Sequence, residues 1–159
     1  MKKFIILTLL VLSGWITNAQ DIKLMDSYLR GNDLATRYVV VLEDNSIWWF
    51  APGQAWKESS VEGLPQGYDI KLLSCYSHKD GSTRYTVVLS DNSIWWFAPG
   101  QPWKKSSAEG LPNGYKIESF KAYSKLDGTR YVLTLEDNTI WWFAPGQAWQ
   151  KSSLEGLPE

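Results

Sequence analysis

The chain has 159 residues, with 16 basic and 17 acidic side chains, and it carries 10 tryptophans but only one cysteine and one histidine. A single cysteine rules out an intrachain disulfide, and a near-neutral balance offers no basic patch for phosphates, so a nucleic-acid partner is not expected. No zinc-type Cys/His spacing and no glycine-rich phosphate loop is present, so neither a metal nor a cofactor is expected.

In chain order, Lys2 and Lys3 precede the apolar run Phe4–Leu12, and Thr17-Asn18-Ala19 supplies small residues before a cleavage point. This is the pattern of a secretory signal peptide over residues 1–19, bacterial in type, and the run is shorter than the roughly 20 residues a spanning helix needs. The expected product begins at Gln20, is about 140 residues long and has a net charge near −3 once Lys2 and Lys3 are gone. It is sized for one domain over 20–159 that is secreted to the periplasm, the cell surface or beyond.

Three repeats fill that domain, at about 21–67, 68–114 and 115–159. Each holds one phrase, IWWFAPGQAW at Ile47–Trp56, IWWFAPGQPW at Ile94–Trp103 and IWWFAPGQAW at Ile140–Trp149, and these contain nine of the tryptophans. Thr36–Pro65 and Thr83–Pro112 differ at five positions, so identity between repeats does not by itself mark a site.

Every repeat reads as four strands. The first covers Asp21–Tyr28, Ile70–Ser77 and Ile117–Ser124, followed by a polar hairpin tip containing Gly31-Asn32-Asp33, Lys79-Asp80-Gly81 or Leu126-Asp127-Gly128. The second, Arg37–Leu42, Arg84–Leu89 and Arg130–Leu135, is β-branched and aromatic. Asp44-Asn45, Asp91-Asn92 and Asp137-Asn138 suit a tight turn, since Asn tolerates left-handed backbone angles. The third runs from Ile47 to Ala51 and its copies, ended by Pro-Gly. The fourth begins at Trp56, Trp103 and Trp149 and is expected to continue through the following Ser pair. Cys75 stands where the other repeats have Ser27 and Ala122, as a small side chain packed in a strand.

Strand alternation decides the architecture. Ile47 and Trp49 share one face and Trp48 and Phe50 the other, so both faces are apolar, and Tyr38–Leu42 behaves alike. A sheet wetted on one side alternates apolar with polar; these strands ask for cover on both sides. Stacked four-stranded propeller blades provide it, and the expectation is an all-β chain of three blades with the Trp-Trp pairs packed between them. The alternative is a β-trefoil, which accounts for the number of repeats; the triplets Gln54–Trp56, Gln101–Trp103 and Gln147–Trp149 superficially resemble the Gln-x-Trp signature of ricin-type lectins. Three blades leave two apolar end faces, so a propeller is expected to close as a six-bladed homodimer.

At Thr83-Arg84-Tyr85, Ile94-Trp95-Trp96 and Trp103 the repeat resembles the blades of small bacterial and fungal fucose-binding propeller lectins. The Ile-Trp-Trp strand is also similar to that of tectonin-type repeats. The lectin resemblance implies an Arg in the second strand, an Ile leading the third and a Trp opening the fourth, in rings that some members complete from incomplete chains. Those blades hold a Glu two residues after the Ile; here Trp49, Trp96 and Trp142 stand there, so the resemblance extends to architecture and not to fucose specificity.

Sugar recognition needs an aromatic plate and planar hydrogen-bonding groups. Arg37, Arg84 and Arg130 are three of the four arginines, Gln54, Gln101 and Gln147 add amides, and Trp56, Trp103 and Trp149 add rings; these nine are the candidate carbohydrate-binding residues. The structural alternatives are an Arg paired with a carboxylate such as Asp44 or Glu62, and a fourth-strand Trp that is core. His78 has no counterpart in the other repeats, so no catalytic residue is assigned and an enzyme is not expected. Two functions remain open: a secreted lectin binding glycans through equivalent weak sites, and a non-enzymatic surface scaffold binding protein.

Overall fold

A computed structural model describes residues 20–31 and 33–158; the expected export signal at 1–19 lies outside the described residues. Among the described residues there are twelve strands and no helix. They are β1 (Ile22–Leu29), β2 (Thr36–Leu42), β3 (Ile47–Phe50), β4 (Lys57–Glu58), β5 (Ile70–Ser77), β6 (Thr83–Leu89), β7 (Ile94–Phe97), β8 (Lys104–Lys105), β9 (Ile117–Lys125), β10 (Gly128–Leu135), β11 (Ile140–Phe143) and β12 (Gln150–Lys151). Every repeat closes its own antiparallel four-stranded sheet in sequence order, and none of these twelve strands pairs outside its repeat. These are propeller blades; a trefoil would share strands in one closed barrel.

The hairpin register follows from the turns. Asn45, Asn92 and Asn138 have φ of 65°, 62° and 60°, the left-handed angles that Asn tolerates better than most residues. Two of these side chains also tie blades together: Asn45 Oδ1 accepts from the Ile70 N–H at 3.0 Å and Asn92 Oδ1 from the Ile117 N–H at 2.9 Å. Asn92→Ala therefore combines left-handed strain with an unpaired N–H on fully buried Ile117. We expect it to destabilise the chain by about 2 kcal/mol, read from urea unfolding.

The inner strands β1, β5 and β9 pack side by side. Lys121 of β9 reaches Asp26 of β1, Nζ to Oδ2 2.7 Å, so the three inner strands converge on a common axis. Between the first two sheets Val39, Val41 and Ile47 meet Tyr85, Val87, Phe97 and Trp103. Between the second and third, Tyr76, Val88 and Ile94 meet Ile117, Tyr131, Leu133 and Trp149. The middle sheet is covered on both sides, as its doubly apolar strands require. Cys75 is 2% exposed, and burial pushes its thiol pKa up, so it stays protonated.

Two features differ from the sequence-based expectation. The fourth strand is two residues long and stops before the Ser pair. The Trp-Trp pairs are half-buried rather than sealed in the core. The first difference explains the second: a third strand flanked by so short a fourth lies near the outer rim of its sheet, where stacked blades diverge. The leading Trp of each pair turns its indole N–H to a turn hydroxyl, Trp48 to Ser46 at 3.0 Å, Trp95 to Ser93 at 2.8 Å and Trp141 to Thr139 at 2.8 Å.

Candidate binding site between the blades

Cross-strand register gathers one set of side chains on the leading face of each blade. Arg37 stands opposite Tyr28, and Val39 opposite Trp49. In the second blade Arg84 stands opposite Tyr76, and Thr86 opposite Trp96. Partners across a strand pair share a face, so guanidinium, phenol and indole project together toward the next blade.

The next blade supplies the opposite wall. The first junction is a cavity of about 390 Å³ between Tyr28, Arg30, Arg37 and Trp49 on one side and Thr83, Tyr85, Phe97 and Pro99 on the other. The second is its equivalent, about 460 Å³, between Tyr76, His78, Arg84 and Trp96 and, opposite them, Thr129, Tyr131, Phe143 and Pro145. Both volumes fall in the range of small-ligand sites.

Each arginine is held by its own hairpin tip. Arg37 Nη2 donates to Asp33 Oδ2 at 2.6 Å. Arg84 donates through Nη2 to Asp80 Oδ2 at 3.3 Å and through Nη1 to Ser82 Oγ at 2.6 Å. Arg130 pairs with Asp127. The carboxylates are thus those of the tip, four residues or three before the Arg, and not Asp44 or Glu62. Asp44 instead accepts from the Ser46 N–H at 2.8 Å, and Glu62 offers its main-chain carbonyl to the Trp103 N–H at 2.7 Å. Hydrogen bonds from Ser82 hold the Asp80 carboxyl well below the usual range, with His78 and Arg84 adding to the effect. Asp33 is lowered by the Ala35 N–H and by Arg37 and Arg30. A carboxylate with a depressed folded pKa keeps its stabilising contact above the ordinary aspartate value and loses it only as pH falls toward the folded value, so these tethers persist through mild acid.

The pocket tyrosines are neutral. Burial raises Tyr28 and Tyr76, opposed by their bonds to Thr83 and Thr129 on the next blade. A lysine lies over each pocket indole, Lys57 Nζ 5.2 Å from the Trp49 ring centre and Lys104 Nζ 5.4 Å from that of Trp96.

The sequence-derived candidates divide. Arg37 and Arg84 line the two cavities, and Arg130 takes the same position on the outward face of the third blade, beside Tyr123 at 39% exposed. Gln54, Gln101 and Gln147 lie in the turn before the fourth strand and line neither cavity. Gln101 Oε1 accepts from Lys104 Nζ at 3.0 Å and Gln147 Oε1 from Gln150 Nε2 at 3.4 Å. Trp103 and Trp149 are each 3% exposed, and their indole N–H groups donate to the carbonyls of Ser60 and Ser107 on the preceding blade, at 2.8 and 2.9 Å. Both are parts of the blade junction. Trp56, with no preceding blade among the described residues, is 44% exposed.

The structure therefore joins the arginines to Trp49 and Trp96, two residues that sequence reasoning assigned to packing. The signal was available. The Asn turn sets the register of the second and third strands, and that register puts Arg37, Val39 and Trp49 on one face.

No family model matches the chain, and no curated protein matches it. Among solved structures it is similar to a fucose lectin from Kordia zhangzhouensis, determined in complex with methyl-fucoside. The TM-score is 0.52 at 12% sequence identity, covering 81% of this chain and 97% of that one. At that identity the likeness is one of fold.

Proposed function

We propose that the chain is an exported, non-enzymatic lectin that binds glycans in the pockets between its blades and closes into a six-bladed ring with a second copy. One observation carries the glycan reading: each junction sets a tethered guanidinium beside a half-buried indole in a cavity of sugar size, and the arrangement occurs twice with little change. Arg offers a rigid fork of donors to ring oxygens, and an indole meets the apolar C–H face of a pyranose. Equivalent weak sites gain avidity on a repetitive surface, whereas catalysis calls for one asymmetric site. The likeness to a fucose lectin agrees with this choice of ligand class.

A glycan array probed with the labelled chain tests the reading, followed by titration of Arg84→Ala and Trp96→Ala against a hit. Each substitution is expected to weaken binding about tenfold or more. Arg84→Ala should move the unfolding midpoint by no more than a few degrees, since its partner Asp80 is half exposed and such pairs contribute about 0–1 kcal/mol. An array with no hit, from a chain of intact fold, would remove the glycan reading and leave the ring as a scaffold for protein.

A further inference from the structure

We infer that the pocket between the second and third blades takes an acidic saccharide, a sugar bearing a carboxylate or a sulfate ester; this rests on the glycan-binding reading above. The two pockets are near-copies in shape but not in polar character. Glu58 borders the first, and Lys105 stands at its place in the second. Arg30 of the first is replaced by His78. Among the described residues no carboxylate lines the second pocket, whose side chains include Arg84, His78 and Lys105, with the ammonium of Lys104 over the Trp96 ring.

Asp80, outside the lining, is paired with the pocket's own arginine. It also accepts from the Ser82 hydroxyl and N–H, with His78 Nδ1 3.2 Å from its Oδ1. The Thr129 hydroxyl is engaged by Tyr76 at 2.8 Å. What lines the cavity is cationic: hydroxyls, those of Ser106 and Ser107 included, supply acceptors, but no side chain there supplies negative charge.

That imbalance selects a ligand class. A neutral sugar can be met by these hydroxyls but brings no charge to balance the cations. A carboxylate or sulfate oxygen only accepts. It brings that charge and accepts from the guanidinium, with the lysines adding attraction at longer range. Arg84 Nη1 donates to Ser82 Oγ and to the Thr83 carbonyl and Nη2 to Asp80 Oδ2, which fixes the plane of the guanidinium.

The test follows the indole N–H resonances of Trp96 and Trp49 by ¹⁵N-edited NMR while the chain is titrated with galacturonic acid, its methyl ester, galactose 6-sulfate and galactose. The expected result is that one or both acids shift Trp96 at concentrations at least tenfold below those needed of galactose and of the methyl ester. Whether galacturonic acid or the sulfate acts tells carboxylate from sulfate ester. The response should weaken with added salt, fall about tenfold in Arg84→Gln, and fall about threefold in Lys105→Glu, an exposed substitution that reproduces the polar border of the first pocket. A methyl ester as effective as the acid, or acids that shift Trp49 alone, would overturn the inference while leaving the glycan reading in place. If none of the four sugars shifts either indole although other sugars on the array bind, the inference also fails; if nothing binds at all, both readings fall together.

Discussion

Gly156→Ala is expected to leave the three blades folded and to hold the chain at the mass of one copy in light scattering, while the unaltered chain is expected at the mass of two. The reason lies in the two junctions already formed. Gly63 and Gly110 have φ of 95°, and a Cβ on either would sit 2.5 Å from the carbonyl oxygen of Trp103 or Trp149 and 2.8 Å from its nitrogen. Glycine is required there because the incoming Trp backbone lies against it and donates to the carbonyls of Glu62 and Glu109, both at 2.7 Å. Gly156 holds the same place in the third blade at φ 86°, where a Cβ would meet nothing within 4 Å.

Across the molecule, the first blade leaves its matching groups uncovered. Trp56 is 44% exposed where Trp103 and Trp149 are 3%. Tyr38 and Phe50 meet at 37°, where Tyr85 with Phe97 and Tyr131 with Phe143 stack at 15°. Leu157 is 62% exposed, while its equivalents Leu64 and Leu111 pack into the junction cores. The end faces are thus the two halves of a junction this chain makes twice internally, and a second copy would supply both complements at once. In the single chain, alanine at Gly156 costs about 1 kcal/mol of left-handed strain; in the ring it would meet the partner's Trp backbone. A native chain at single mass at every concentration, or a Gly156→Ala chain still at double mass, would refute closure through these faces.

Trp103→Ala is expected to cost about 3–5 kcal/mol of unfolding free energy, the range for deleting a large buried aromatic. Its ring packs on Phe97 at 5.4 Å and is sealed between the first two blades, and its indole N–H satisfies the Ser60 carbonyl. Trp56→Ala removes the same residue from the same place in the first blade, where the ring touches Phe50 at 5.3 Å but has no preceding blade against it. In a Gly156→Ala background, chosen to hold chains single, we expect Trp56→Ala to cost about 1 kcal/mol, since a ring left half in water forfeits only part of that burial. Urea unfolding of the two variants in that background makes the comparison. Equal losses would show that the junction adds little beyond the blade's own packing.

Much of this was legible in the residues. The repeats, the Asn turns and strands apolar on both faces dictate stacked four-stranded blades, because a doubly apolar strand has to be covered twice. The arginines of the second strand were legible as candidates as well. Their partners were less so: Asp33, Asp80 and Asp127 lie in hairpin tips whose length varies between repeats, so their reach to the Arg depends on how each tip folds back.

The fates of identical tryptophans were beyond local sequence. Trp56, Trp103 and Trp149 close the same phrase, yet one is exposed and two are sealed, because burial depends on whether a blade precedes them. Trp49 and Trp96 each follow a tryptophan that is also half-buried, yet they line cavities, because the short fourth strand lets the blades part at the rim. Periodicity by itself determined which face each side chain takes, since alternation is a property of the strand. What lies opposite that face, another blade, a cavity or solvent, was decided only by the stacking of whole sheets.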